Sequence, residues 1–163
     1  MALSTQANNG ATVSQSARTV TLSAGQTVLE AARAKARQIG VAMNIAVVDE
    51  GSNLVAFVRM DGAWLGSIDI AQNKAYTARA FDMSTEDLAP LAQPGGPLYG
   101  IEASNHGRLI VFAGGIPLIS GGRVMGAIGV SGGTVEQDQE VAEAGVAAFS
   151  PLSPRSRSGP VPL

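Results

Sequence analysis

Lys74 is the residue of this chain whose type sits least comfortably with its place. On a helical wheel it falls between Ile70 and Phe81 on one side and Ala71 and Ala78 on the other, away from Asp69, Gln72 and Tyr76. A lysine in such an apolar arc must snorkel its ammonium to water, pair with a carboxylate, or face a pocket in which it can act on a ligand. Arg59 raises a similar question at a strand end, just before Met60-Asp61-Gly62. Its alternation partners Val55 and Phe57 suggest a partly covered face, and a guanidinium there suits a bidentate grip on a carboxylate. Arg59, Met60 and Asp61 are therefore candidate substrate-binding residues; the plainer reading of Arg59 is a salt bridge to Asp49 or Asp61. Tyr99, Glu102 and His106 bring a phenol, a carboxylate and an imidazole within eight residues. With Lys74 they form a candidate catalytic set for general acid–base chemistry. His106 is the only histidine, so any step that needs an imidazole has one candidate.

The glycines near the C-terminal end carry a second signal. Gly129-Val130-Ser131-Gly132-Gly133 formally matches the G-x-S-x-G elbow of hydrolases. His106 precedes Ser131, however, whereas that fold places its histidine last, and this domain is too small for it. The segment also lacks the dinucleotide-binding G-x-G-x-x-G pattern. What remains is a glycine-rich turn into a helix N-terminus, where the N–H groups of Gly132 and Gly133 can hold an anion. Close strand packing at Gly126 and Gly129 is the structural alternative.

These groups must be positioned by few elements. The chain has 163 residues, the length of one domain, with 45% hydrophobic and 15% charged residues. Ordinary domains carry about 25% charged residues, and so low a fraction suggests a surface partly covered by copies of the same chain. A net charge of -2, with no run of Lys or Arg, lacks the basic footprint of a nucleic-acid binder. Zero cysteines remove disulfides, iron–sulfur clusters, thiolate zinc sites and cysteine nucleophiles. One histidine and scattered carboxylates allow an oxygen-ligand metal site, but no spaced cluster demands one, and no metal is expected. The sequence demands no cofactor; it allows haem, with His106, Tyr99 or Met60 as ligand. Without a signal-like N-terminus or a long apolar run, the expectation is a cytoplasmic protein with no membrane partner.

Residues 1–20 read as a flexible arm, 150–163 as a flexible Pro/Ser/Arg-rich tail, and 21–149 as the domain. Ser23 is a plausible cap for a first helix ending near Ile39 at Gly40. Met43–Asp49 and Leu54–Met60 read as a hairpin. Ser67 opens a second helix to about Asp82, and Ser84 a short third through Leu91. A long Pro- and Gly-containing loop then leads to strands Leu109–Ala113, Pro117–Ser120 and Arg123–Val130. Thr134 and Gln137 form a capping box that opens a final helix ending near Phe149. The order is α-β-β-α-α-β-β-β-α, an α/β (α+β) domain with a five-stranded antiparallel sheet flanked by helices.

The segments IAVVDEGSNLVAFVRMDGA (45–63), NKAYTARAF (73–81), GGPLYGIEASN (95–105) and GGIPLISGGRVMGAIGVSGGTVEQDQEVAEAG (114–145) resemble the GlcG/HbpS-like family in order and spacing. The resemblance spans about residues 21–149. It implies a profilin-like sheet and commonly a homo-oligomer. Members include haem-binding proteins of uptake and redox sensing, a haem-binding domain fused to a cobalamin adenosyltransferase, and proteins of small-molecule catabolism. Among the last is a hydroxylaminobenzoate lyase that releases ammonia. Three functions follow as expectations. The first is a lyase, free of redox cofactors, on a small aromatic or hydroxy carboxylate. The others are a haem-binding or haem-sensing module, and a non-catalytic accessory protein of a catabolic operon.

Overall fold

The computed structural model describes residues 19–150. The expected arm and tail lie almost wholly outside that range. The elements are α1 (Leu22–Gln38), β1 (Asn44–Asp49), β2 (Leu54–Arg59), α2 (Gly66–Ala80), α3 (Thr85–Ala92), β3 (Gly115–Ser120), β4 (Arg123–Ser131) and α4 (Val135–Ala147). Two short 3-10 turns, Ile101–Ala103 and Asn105–Gly107, interrupt the long loop between α3 and β3. The strands form one antiparallel sheet in the order β2-β1-β4-β3.

The sheet has four strands among the described residues, where the sequence suggests five. The stretch Leu109–Ala113 has strand-like composition but makes no ladder. Its Ile110 N–H donates to Thr77 Oγ1 on α2 at 3.0 Å. A backbone donor held by a helix side chain cannot also pair with a strand, and the chain enters β3 only after Gly114, at φ 113°.

Caps show which local signals were strong. Thr21, not Ser23, caps α1, accepting from the Ala24 N–H. Val20 fixes that entry: it is buried and its N–H donates to Met125 O at 3.1 Å, so the packed unit includes Val20. The helix α2 begins at Gly66 with no side-chain cap, and Ser67 lies buried inside its first turn. Its start is set by tertiary contact instead, since Asn44 Nδ2 on β1 donates to Trp64 O at 3.0 Å. Ser84 and Thr134 cap α3 and α4 as their sequence signatures indicate, and the capping box of Thr134 with Gln137 is complete.

Strand alternation divides the core in two. Ile45, Val47, Ile128 and Val130 face Val28, Leu29, Ala32 and Val141 of α1 and α4. Ala46, Val48 and Ala127 face Ala71, Ala75 and Ala78 of α2. The second face is built of small side chains, which lets α2 lie close on the sheet. A Cβ added at Gly129 would overlap the Ala71 carbonyl oxygen and sit 2.5 Å from Ala75 N. Close packing is thus present at both glycines: Gly126 lies against the Val48 carbonyl and Val20, and Gly129 holds α2, with Lys74, close to the sheet.

Candidate functional site

Lys74 has no exposed surface. Its ammonium donates to Asp138 Oδ2 at 2.7 Å and to Val130 O at 2.9 Å, with the Phe112 ring centroid 4.7 Å away. The close approach of α2 brings the lysine to the C-terminal end of β4, where Val130 lies, and Asp138 meets it there from the first turn of α4. Burial is the largest influence on both partners: it pulls the Lys74 pKa down and pushes the Asp138 pKa up, against their mutual attraction. Of the three outlets open to Lys74, the geometry takes the carboxylate pair. Asp138 escaped the sequence reading; its only signal was its place just after a capped glycine turn.

The same carboxylate fills the expected anion site. Asp138 Oδ1 accepts the Gly133 N–H at 2.9 Å, and the Gly132 N–H also supports the carboxylate. The helix N-terminus does hold an anion, and the anion belongs to the chain. The Thr134 N–H is likewise taken by Gln137 Oε1 at 2.9 Å. Ser131, the serine of the elbow-like pattern, is buried at the end of β4.

Tyr99, Glu102 and His106 lie exposed on the long loop. Among the described residues, no hydrogen bond or ion pair joins them to Lys74 or to one another. The loop is nevertheless anchored. Tyr76 Oη donates to Asn105 Oδ1 at 3.0 Å, and the Arg108 guanidinium stacks 3.8 Å from the Tyr76 ring centroid. Arg108 Nε also donates to Asn73 Oδ1 at 3.3 Å. Asn105 and His106 are consecutive non-glycine residues in the left-handed region, at φ 51° and 60°. Such backbone persists only where surrounding contacts hold it, and here they present the imidazole to solvent. Tyr76 and Arg108, which supply those contacts, lacked any motif in the sequence.

Arg59 forms neither of the salt bridges considered for it. Asp49 is taken up by the β1–β2 turn, accepting from the Gly51 and Asn53 N–H groups. Arg59 Nε donates to Ala63 O at 3.1 Å, and its side chain borders a cleft together with Met60 and Asp61. Met60 Sδ accepts a long contact from the Met43 N–H at 3.4 Å. Among the described residues, no group of three or more His, Asp or Glu side chains is placed to hold a metal ion, and no helix is long and apolar enough to cross a membrane.

The fold and these placements can be set beside known proteins. A family model described as "Haem degrading protein HbpS-like" matches residues 20–147. The chain belongs to the HbpS-like family. It is 45% identical over 139 residues to an uncharacterized 15.0 kDa protein of Citrobacter freundii from the dhaT-dhaS intergenic region, covering 85% of this chain and 98% of that one. A Klebsiella pneumoniae protein, ORFY, has a solved structure similar to it at a TM-score of 0.81 and 42% identity, over 91% of this chain and all of that one. The PduOC:heme complex is similar at a TM-score of 0.77 and 35% identity, over 80% and 94% of the two chains. The HbpS-like assignment therefore rests on sequence and fold together.

Proposed function

We propose that this HbpS-like chain is a haem-binding module and that the loop from Leu98 to Arg108 contributes its ligand-holding residues. The observation that carries the reading is the anchored, left-handed presentation of His106, the one imidazole in the chain, at an exposed position. The donor set suits the group. The His106 imidazole could ligate the iron, the Arg108 guanidinium would suit a propionate, and the exposed Leu98 and Tyr99 of the same loop would add apolar contact. Haem, when bound, supplies the redox and gas-ligand chemistry of its iron. The chain would supply a ligand and an anion partner. Similarity to the PduOC:heme complex supports this reading.

The lyase expectation has less behind it. The fully buried Lys74 ammonium, the first residue of the expected catalytic set, is committed to Asp138 and Val130. Haemin titration of the purified chain should give a Soret band that saturates at a fixed ratio. His106→Ala should weaken that binding by about tenfold or more and alter the spectrum, as loss of an iron ligand would. A wild-type chain that leaves haemin spectrally unchanged would remove the haem reading. An unaltered spectrum and affinity in His106→Ala would remove His106 from it.

A further inference from the structure

A cleft of about 280 Å³ lies between α1 and the end of β2. Its lining is Arg33, Arg37, Val58, Arg59, Met60 and Asp61. Three guanidiniums in so small a space repel one another, and Arg33 and Arg37, one helical turn apart, are a like-charge i,i+4 pair. The anions at hand do not balance them. Arg33 pairs with Glu30 through Nη2, and its buried Nε has no acceptor among the described residues. Arg37 makes no ion pair among the described residues, and Arg59 spends only Nε, on the Ala63 carbonyl. Among the described residues, Asp61 is the one carboxylate in the lining.

We infer that this cleft is a binding site for a compact organic or inorganic oxyanion, bearing a carboxylate or a phosphate group. Arg37 and Arg59 have no ion-pair partner among the described residues, and guanidinium forks match the paired oxygens of both groups. Val58 and Met60 give the cleft an apolar wall, which suits a short carbon chain beyond the acidic group. The volume lies just under the ordinary range for ligand pockets, about 300–1,000 Å³, so the ligand is small. This site is on the α1–β2 side of the molecule and uses none of the loop residues assigned to haem.

Calorimetric titration of the haem-free chain with succinate, inorganic phosphate and the neutral control succinamide tests it. At least one anion binds and succinamide does not, and added salt weakens the binding. Arg37→Gln and Arg59→Gln each lower the affinity about tenfold, as loss of one charge-assisted hydrogen bond does, while the melting temperature stays near that of the wild type. Preference for succinate or for phosphate assigns the class. The His106→Ala chain retains the binding, so failure of the haem reading leaves this site standing. Lack of binding by both anions overturns the inference, as does binding indifferent to Arg37→Gln and Arg59→Gln. A cleft closed by assembly of copies of the chain gives the first of these results.

Discussion

At the scale of single residues, the buried pair of Lys74 and Asp138 shows how much a charge in the interior depends on its partner. Desolvation of two ions can cancel their attraction, but removing one partner alone leaves an uncompensated charge, at about 3–5 kcal/mol. Lys74→Met should therefore lower the unfolding free energy by about that amount, while Lys74→Met with Asp138→Asn should recover much of it. Denaturant unfolding of the two variants checks this; equal losses in both would mean that the pair is not coupled. Proton linkage gives an independent reading. The Asp138 pKa is raised above its ordinary 3.8, so in the window just above 3.8 the folded chain binds more protons than the unfolded one. The stability contributed by this group is full below that window and is lost as pH rises through the raised pKa. Asp138→Asn should lack this falling slope. The wheel position of Lys74 made its predicament legible in the sequence. Its solution was not, because Asp138 lies 64 residues away on another helix and no local pattern links them.

At the scale of elements, legibility follows how local the cause is. The capping box of Thr134 and Gln137 is written within four residues and forms as written. The β1–β2 hairpin is equally local. The start of α2 depends on Asn44 of β1, and the irregular path of Leu109–Ala113 depends on Thr77, so both were misplaced from sequence. Of the candidate site residues, Arg59, Met60 and Asp61 do share a cleft, because they are neighbours at one strand end. Arg33 and Arg37 carry no local signal that links them to that strand end; only the packing of α1 beside β2 brings them there. The α2–sheet contact allows a direct test. Gly129→Ala places a methyl group against the Ala71 carbonyl and must lift the helix, so a loss of about 1–3 kcal/mol is expected. Gly66→Ala, on the same helix, meets nothing within 4 Å and should leave stability unchanged or raise it by up to about 1 kcal/mol. Thermal melts of the two variants should therefore diverge in sign or size. Similar small effects would mean that α2 has room to move.

At the scale of the whole molecule, the sheet order among the described residues leaves β2 and β3 as edge strands, a form that proteins usually cover or blunt. Exposed apolar side chains lie at or beside both: Leu54 on β2, Ile119 on β3, and the adjacent Trp64 and Leu65 at the head of α2, 73% and 70% exposed. Two large neighbouring side chains so open to water, on a chain with only 15% charged residues, point to a face that another copy covers. The expected outcome is a homo-oligomer at micromolar concentration by sedimentation. Trp64 is the single tryptophan, so it reports on its own burial without labelling. If the Trp64–Leu65 face is the contact, emission should shift to longer wavelength on dilution, in step with the fall in mass. Leu65→Ser should produce both changes at higher concentration, because it removes apolar contact area while keeping the reporter. A chain that sediments as a monomer throughout would defeat the prediction outright. An oligomer whose Trp64 emission stays red-shifted would keep the assembly and move its interface to one of the edge strands.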